Sequence, residues 1–349
     1  MKVFGIISRP EGFSDHSGLW PTVRAVGMAP VEFGERWRRW QARSWTAGEW
    51  LRMWGNRWYG SAWNSLTPCL DERAIMKVLP RGKPHVMHWL WGEFAAPKRA
   101  EAYRKRGGRV VVSVHCSARR WDKVWLRPDG YAQADMVVLT SESQRPFVER
   151  DVPAENVRKI PLGVECGYFT PGERPPSHER RLRLFLLGNT ERNHAFAAEV
   201  AKRLSPERFE WRIRTLAPEK TLYAGIPCVT MLPRLTDAEM LEEYRQADLL
   251  CMPMLDSAAN DVLLESMACG TPVMVNRVGG VPEYVSGECN VVVSNERRVD
   301  EWVDKLFWLE QNRDWLEGIR PKTRTWAERF DWKIIAEEYR AAYAEVLGR

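Results

Sequence analysis

Residues 251–284 read CMPMLDSAANDVLLESMACGTPVMVNRVGGVPEY, and this stretch decides how the chain is interpreted. The apolar run at residues 249–255 is short and ends at a polar pair, Asp256 and Ser257. Such a run predicts a buried parallel strand that opens into a loop.

A helix should begin directly after this loop. Asn260 is a favourable N-cap, Asp261 suits the positive first turn, and Gly270 is a common helix stop. Glu265 then lies one turn into the helix. Ligands of open α/β sheets bind where strands end and helices begin, so backbone N–H groups near residues 258–262 would face a bound phosphate. We therefore expect an anionic ligand at this helix N-terminus.

The residues after this helix predict a second short strand, a Gly279-Gly280 turn, and a further helix that begins at Pro282. The whole passage resembles the nucleotide-sugar site of retaining GT-B glycosyltransferases of family 4. The pattern of that family is a Glu, seven residues and a second Glu, then CGTPV and a GG-x-x-E turn. Glu265 matches the second Glu, which in the family holds the ribose of the nucleotide.

The match departs from the family at two places. Ser257 stands where the first Glu is expected, and Ala258, Ala259 and Asn260 replace the usual Gly-Phe-Gly. Backbone donors at a helix start need no particular side chain, so the resemblance still implies a donor site here. The donor-binding residues that it implies in this stretch are Ser257, Asn260, Asp261, Val262, Leu263 and Glu265.

Length and composition indicate a folded protein of two domains. The chain has 349 residues, of which 44% are hydrophobic and 28% charged. Its start resembles a strand and not a signal peptide, and no apolar run approaches the roughly 18 residues of a membrane span, so we expect a cytoplasmic protein. The seven cysteines include no Cys-x-x-Cys pair, which predicts free thiols and no metal site.

Charge is distributed unevenly along the chain. Residues 1–170 hold 27 lysines and arginines against 17 acidic residues, and they contain 12 of the 18 tryptophans. Residues 171–349 hold 25 basic and 29 acidic residues. This asymmetry predicts that the two halves bind different partners.

Residues 34–63 contain six arginines, two glutamates and seven tryptophans. Trp50, Trp54 and Trp58 recur at helical spacing, as in a helix that lies on an anionic membrane surface. The alternative is that the tryptophans pack against their own domain while the arginines stay in water. The chain carries no signature of an RNA-binding fold, so a nucleic-acid partner is not expected. The predicted acceptor or membrane face comprises Trp50, Trp54, Trp58, Arg38, Arg39 and Arg43.

Three further residues are candidates in the first half. Gly18 lies in the turn after the first strand, where the family brings substrates close to the backbone, although a small residue there is often only a turn. His88 lies within a predicted strand and is expected in the core. His115 ends the strand RVVVSVH, where the family places an active-site His, although such a residue can also be a structural hydrogen-bonder.

The second half begins after the polar, Pro-rich residues 171–183, which we expect to be a linker. In the family, the turn after the next strand bears an Arg and a Lys that neutralise the diphosphate. Asn189 replaces the first of these, so Arg192 is the candidate cation. The family seats the nucleotide base near residues 232–235, which makes Leu232 and Arg234 candidates for the base pocket.

The resemblance implies an α/β fold of the GT-B class, with two Rossmann-like parallel-sheet domains that face a cleft. We expect an acceptor domain at residues 1–170, a nucleotide-sugar domain at 184–328 and, at 329–349, a helix that packs back on the first domain. The implied protein is a retaining, metal-independent glycosyltransferase without a cofactor, peripheral on the inner membrane face if the membrane prediction holds. Its partners would be a nucleotide-sugar donor, a glycan or lipid-linked acceptor and an anionic membrane surface. The alternative is a degenerate GT-B protein that acts as a membrane-associated binding or scaffold module without transfer activity.

Overall fold

A computed structural model describes residues 1–7, 14–32, 75–77, 79–93, 97, 99–174, 180–216, 218–294 and 298–349. The predicted acceptor or membrane face, Trp50, Trp54, Trp58, Arg38, Arg39 and Arg43, lies outside these residues.

The chain forms two compact units, each with its own sheet. The first comprises Met1–Phe13, Gly18–Pro161 and Lys333–Arg349, with the gaps just given. The second comprises Ser14–Ser17 and Leu162–Trp332. The chain thus enters the second unit at Leu162, ahead of the polar stretch 171–183 that we expected to be the linker.

The first unit is built on a six-stranded parallel sheet in the order β2-β1-β3-β4-β5-β6. Its helices between residues 20 and 148 are short. In chain order the elements are β1 (Val3–Ile7), α1 (Trp20–Val26), β2 (Ala29–Glu32), β3 (His85–Trp89), α2 (Ala100–Arg104), β4 (Gly108–Val114), α3 (Trp121–Val124), β5 (Met136–Leu139), α4 (Arg145–Val148) and β6 (Val157–Lys159).

Burial on both faces of this sheet explains its apolar strands. The side chains of β4, from Val110 to Val114, are all buried, as the central strand of a parallel sheet requires. His88 on β3 is fully buried, and its ring nitrogens contact Tyr343 Oη at 2.6 Å and Ser113 Oγ at 2.7 Å. Burial lowers the pKa of His88 to about 3, with a smaller effect from His115. The prediction that His88 is a core residue is confirmed.

The second unit contains a second six-stranded parallel sheet, in the order β12-β11-β10-β7-β8-β9. The sequence order reverses between β10 and β7, which is the topological switch point of a doubly wound sheet. The elements are β7 (Leu182–Leu187), α5 (His194–Ala201), β8 (Phe209–Arg214), β9 (Val229–Met231), α6 (Asp237–Gln246), β10 (Leu249–Cys251), α7 (Asp261–Ala268), β11 (Val273–Asn276), α8 (Val281–Tyr284), β12 (Val291–Val293), α9 (Val299–Gln311) and α10 (Arg313–Glu328).

The strand predicted at residues 249–255 is shorter than expected. β10 ends at Cys251, because Pro253 has no N–H to donate to a ladder. Met254 forms instead an isolated antiparallel bridge with Arg192. The polypeptide therefore leaves the sheet early and pairs with the loop that follows β7.

The last helix, α11 (Trp332–Gly348), begins at the end of the second unit, and residues 333–349 belong to the first. Within the first unit, Arg340 donates to the carbonyl of Ala25, and Arg109 Nε donates to that of Val346 at 3.2 Å. In the part of the chain that the structure describes, no helix has the length and apolar character needed to cross a membrane.

Candidate active site

Helix α7 begins directly after the loop that follows β10, as predicted, and the sheet order places this loop at the switch point of the second sheet. Asn260 is its N-cap, and the Asn260 side chain accepts a hydrogen bond from the Val262 N–H at 3.1 Å. Asp261 and Val262 are half-buried, whereas Leu263 packs in the interior. The helix ends at Ala268 with Cys269 as its C-cap, and Gly270 follows with φ +72°. The predicted caps and the placement of Glu265 in this helix are confirmed.

Glu265 is a buried carboxyl group whose two oxygens both accept hydrogen bonds. Tyr244 Oη donates to Oε2 at 2.6 Å, and Ser17 Oγ donates to Oε1. Burial, followed by the charge of Asp261, raises the pKa of Glu265 to about 7, against the opposing effect of the two hydroxyls. Glu265 therefore titrates near neutral pH.

Arg192 lies beside the start of the same helix. Its guanidinium donates to the carbonyls of Leu187 at 3.2 Å and Thr190 at 2.7 Å, and to Asn260 Oδ1 at 3.2 Å. Desolvation lowers the pKa of Arg192 to about 10, and the group remains a cation at neutral pH. A fixed positive charge thus stands at the N-terminus of α7.

The loop after β7 is shaped to hold this guanidinium. Gly188 has φ +99°, and a Cβ at this position would lie 3.1 Å from Arg192 Nε. Glu191 also has a positive φ, 60°, and its carbonyl accepts from the Leu255 N–H at 2.8 Å. The Asn189 side chain is bonded to other partners than Arg192. Its amide donates to Thr215 Oγ1 at 2.8 Å and to Glu219 at 3.0 Å.

The loop before α7 is packed against the turn at Gly279. Ser257 Oγ donates to the Ala259 carbonyl at 3.2 Å, and the Ser257 carbonyl accepts from the Gly280 N–H at 2.7 Å. Gly279 has φ +47°, and a Cβ there would lie 2.2 Å from both Asp256 Oδ1 and the Ser257 carbonyl oxygen. The residue in place of the first Glu of the pattern is therefore engaged within its own loop.

Residues 14–17 belong to the second unit although they are distant from it in sequence. His16 Nδ1 lies 2.8 Å from Glu165 Oε2, and the His16 ring stacks on Tyr168 with a centroid separation of 3.5 Å. The Asp15 N–H donates to Asp237 Oδ2 at 3.2 Å. These contacts place Ser17 against Glu265.

His115 follows the last residue of β4 in the first unit. The His115 N–H donates to Glu93 Oε1 at 2.5 Å, and its ring Nε2 lies 2.8 Å from the Leu90 carbonyl oxygen. The predicted position at a strand end is confirmed, and its role remains a prediction.

The structure also describes the remaining candidates, Gly18, Leu232 and Arg234. Gly18 belongs to the first unit and has φ +72°, so its conformation requires a glycine whether or not it contacts a substrate. The Leu232 side chain is buried, and Arg234 is exposed. The structure thus brings together Arg192, Ser257, Asn260, Asp261, Val262, Leu263 and Glu265 in the second unit, while Gly18 and His115 lie in the first.

Sequence reasoning missed Tyr244 and Glu93. Tyr244 gave no signal, since an aromatic residue on an amphipathic helix is ordinarily only core. Glu93 follows the strand run HVMHW by a few residues, and an acid at a strand end could have been singled out. Among the residues that the structure describes, no group of three or more His, Cys, Asp or Glu side chains is arranged to hold a metal ion.

Residues 181–312, which include Arg192 and Glu265, match the family model described as Glycosyl transferases group 1. The matched residues all lie within the second unit, Leu162–Trp332. The matched segment contains all six strands of the second sheet and the whole of α7.

Curated relatives carry a consistent name. The D-inositol 3-phosphate glycosyltransferase of Corynebacterium jeikeium is 30% identical over 243 residues, which cover 60% of this chain and 57% of the relative. The enzyme of the same name from Segniliparus rotundus is 23% identical over 62% of this chain and 53% of its own length. That from Actinosynnema mirum is 29% identical over 79% of this chain and 77% of its own. The chain thus spans about half the length of the first two relatives.

Solved structures confirm the fold class. Alr3699/HepE of Anabaena, solved in complex with UDP, has a TM-score of 0.69 at 13% identity and covers 99% of this chain and 100% of its own. A glycosyltransferase from Rickettsia africae has a TM-score of 0.68 at 13% identity, covering 99% of this chain and 98% of its own. At such identities these likenesses show the GT-B fold alone.

Proposed function

We propose that this protein is a retaining glycosyltransferase that moves a sugar from a nucleoside-diphosphate sugar to an acceptor. One observation carries the proposal. A fixed cation, Arg192, contacts the N-cap of α7 at the switch point of the second sheet, and a buried carboxylate, Glu265, lies one turn into the same helix. This is where a doubly wound sheet binds nucleotides.

Each group has a task in this chemistry. Negative charge builds on the diphosphate as the glycosidic bond breaks, and Arg192 and the amides that open α7 would stabilise it. Glu265 would accept hydrogen bonds from the ribose hydroxyls. With a cation and helix amides supplied by the chain, transfer needs neither a metal nor another cofactor. Retention of configuration rests on the family resemblance, in which the leaving phosphate acts as the base.

The first unit would bind the acceptor and present His115 to the transferred sugar. The names of the curated relatives point to a phosphorylated polyol as one acceptor class, and the basic first half fits an anionic acceptor. A lipid-linked acceptor at an anionic membrane surface fits the same charge, with the protein cytoplasmic and peripheral. Replacement of the first Glu by Ser257 favours the rival proposal, a scaffold that has lost transfer activity.

Calorimetric titration with UDP, GDP and ADP tests the donor site. Wild-type protein should bind one of them, and binding should persist in excess chelator. Glu265→Ala should weaken it about tenfold or more, since a hydrogen bond to a charged group contributes roughly 1.5–3 kcal/mol. Glu265→Gln keeps the side-chain volume and should weaken binding less.

Glu199→Ala is the matched control. Glu199 is an exposed acid of the same unit, and it pairs with Lys202 and not with any residue of the proposed donor site. Its nucleotide affinity should equal that of wild type. Wild-type protein that binds none of the three nucleotides would contradict the enzyme proposal and favour the scaffold. Unchanged affinity in folded Glu265→Ala would remove Glu265 from the site.

A further inference from the structure

The loop that carries His115 is held from one side by a buried acid that the proposed function does not use. Glu93 is fully buried, and a single oxygen, Oε1, accepts from the His115 N–H at 2.5 Å and the Cys116 N–H at 2.7 Å. Both are backbone amides just beyond the last residue of β4. Buried amides outside a strand need another hydrogen-bond acceptor, and Glu93 supplies it. Glu93 thereby fixes the backbone from which the His115 side chain projects.

The same loop is held from the other side by Gln144. Its Nε2 donates to the carbonyls of Val114 at 3.1 Å and Cys116 at 3.0 Å. Its Oε1 accepts from the Thr140 and Ser141 N–H groups at 2.9 and 3.1 Å, which ties it to the end of β5. The amides of the loop thus donate to Glu93, which follows β3, and its carbonyls accept from Gln144, which follows β5.

One nitrogen of the His115 ring is a hydrogen-bond donor in this arrangement. The ring Nε2 lies 2.8 Å from the Leu90 carbonyl, which can only accept, so Nε2 carries the hydrogen. Trp91, which is 37% exposed, stands edge-on to the ring at 5.8 Å. Backbone and ring are therefore both oriented by the segment that ends in Glu93.

Gly92 allows this segment to approach β4 closely. Its N–H donates to the Ser113 carbonyl at 2.9 Å, and a Cβ at Gly92 would lie 2.5 Å from Val112 Cγ1. Any other residue would push the β3 end away from the β4 end. The position of the Glu93 carboxylate thus depends on a close approach at Gly92, where an added Cβ would force Val112 or the segment itself to shift.

We propose that Glu93 is a positioning residue that sets the place and orientation of His115 for the transfer reaction. The inference rests on the proposed function, in which His115 meets the transferred sugar. Glu93 itself contacts no substrate and acts through the His115 and Cys116 amides. The competing account is that Glu93 only stabilises the fold of the first unit, as buried hydrogen-bonded acids commonly do.

Hydrogen–deuterium exchange tests the geometry without any need for activity. In Glu93→Ala, exchange of the His115 and Cys116 amides should accelerate more than in the flanking strand. Glu93→Gln should retain most of the protection, because its carbonyl oxygen can still accept both bonds. Glu101→Gln, an exposed acid on α2 paired with Lys105, is the control and should exchange like wild type. Unaltered protection in folded Glu93→Ala would overturn the proposal.

A double-mutant cycle tests the link to His115, with hydrolysis of the nucleotide sugar as the readout. Glu93→Ala should lower kcat/KM on the order of 100-fold, the loss that a misplacement of about 1 Å can cause. Glu93→Ala in a His115→Ala background should lose little more, because residues that act as a unit are not additive. Glu93→Gln should recover most of the activity, and nucleotide affinity should be unchanged in every variant.

Additive losses of kcat/KM in the double-mutant cycle would overturn the inference. So would a lower Tm of Glu93→Ala with unchanged kcat/KM, because Glu93 would then be only a structural residue. Failure of the proposed function is distinguishable from this result. It would appear as absence of nucleotide binding and hydrolysis in the wild type, whereas the exchange experiment reports on Glu93 in either case.

Discussion

The carboxyl group of Glu265 is buried, and burial disfavours its charged form. The side chain is 3% exposed, and burial raises its pKa to about 7 although Tyr244 and Ser17 both donate to it. An acid with a raised pKa in the folded protein binds its proton more tightly than it does in the unfolded chain. Its contribution to stability is therefore fully present below the ordinary value near 4.5 and is lost as the pH rises through about 7.

Replacement of this acid by its neutral isostere should stabilise the protein at high pH. We expect Glu265→Gln to raise Tm by about 2–4 °C at about pH 8, the shift that 1 kcal/mol produces in a domain of this size. At about pH 5 the gain should largely vanish, because Glu265 is then protonated. Scanning calorimetry at the two pH values measures the difference. Glu199→Gln should show no such pH dependence, and an equal gain at both pH values would contradict the raised pKa.

At the scale of elements, the site depends on two loops that cross at the strand ends of the second sheet. The loop after β7 supplies Arg192, and the loop after β10 leads into α7. The turn after β11 supports the second loop, since Gly280 donates to the Ser257 carbonyl at 2.7 Å. The glycine before it, Gly279, has a left-handed conformation and no room for a Cβ.

Gly279→Ala should therefore damage both folding and the donor site. A Cβ would lie 2.2 Å from Asp256 Oδ1 and from the Ser257 carbonyl oxygen, so the loop that leads into α7 must shift. We expect a loss of more than about 2 kcal/mol in unfolding free energy by denaturant titration, with weaker nucleotide binding. Gly287→Ala is the control, because a Cβ added there would meet open space, and it should stay within about 0.5 kcal/mol. Similar stability of the two variants would contradict the close approach at Gly279.

At the scale of the whole molecule, the uneven charge predicts different partners for the two halves, and the proposal for the first half is an anionic membrane surface. Residues 1–170 carry 27 basic against 17 acidic residues, and the segment 34–63, outside the described residues, adds the tryptophans typical of an interface. Each basic residue near an anionic surface contributes about 1 kcal/mol. Binding should then be reversible and sensitive to salt.

Sedimentation with anionic vesicles tests this prediction. Wild-type protein should bind at low salt and dissociate at high salt, and a triple Arg38→Gln, Arg39→Gln and Arg43→Gln variant should bind much more weakly at unchanged Tm. The control neutralises three basic residues of the second unit, Lys202, Arg203 and Lys220, and should bind like wild type. Wild-type protein that stays in the supernatant at low salt would indicate a soluble acceptor.

Local patterns were enough to predict the start and end of α7 and the place of Glu265 in it, whereas the two parallel sheets were implied by the family resemblance. Caps, turns and apolar runs act over a few residues, so they can be read along the chain. The same patterns placed His88 in the core and His115 at a strand end. Where they failed, as for the length of β10, the cause was Pro253 and a bridge to a distant loop.

Only the tertiary structure decided which side chains meet. Tyr244 is 21 residues from Glu265 and Ser17 is 248 residues away, yet both donate to its carboxylate. Glu93 and Gln144 reach the His115 loop from the ends of two different strands. These contacts depend on the order of the strands in each sheet. That order is set by the crossover connections, and no short segment of sequence specifies it. The charged groups of the site could therefore be identified from the sequence, whereas the residues that contact them depend on the order of the strands in the sheets.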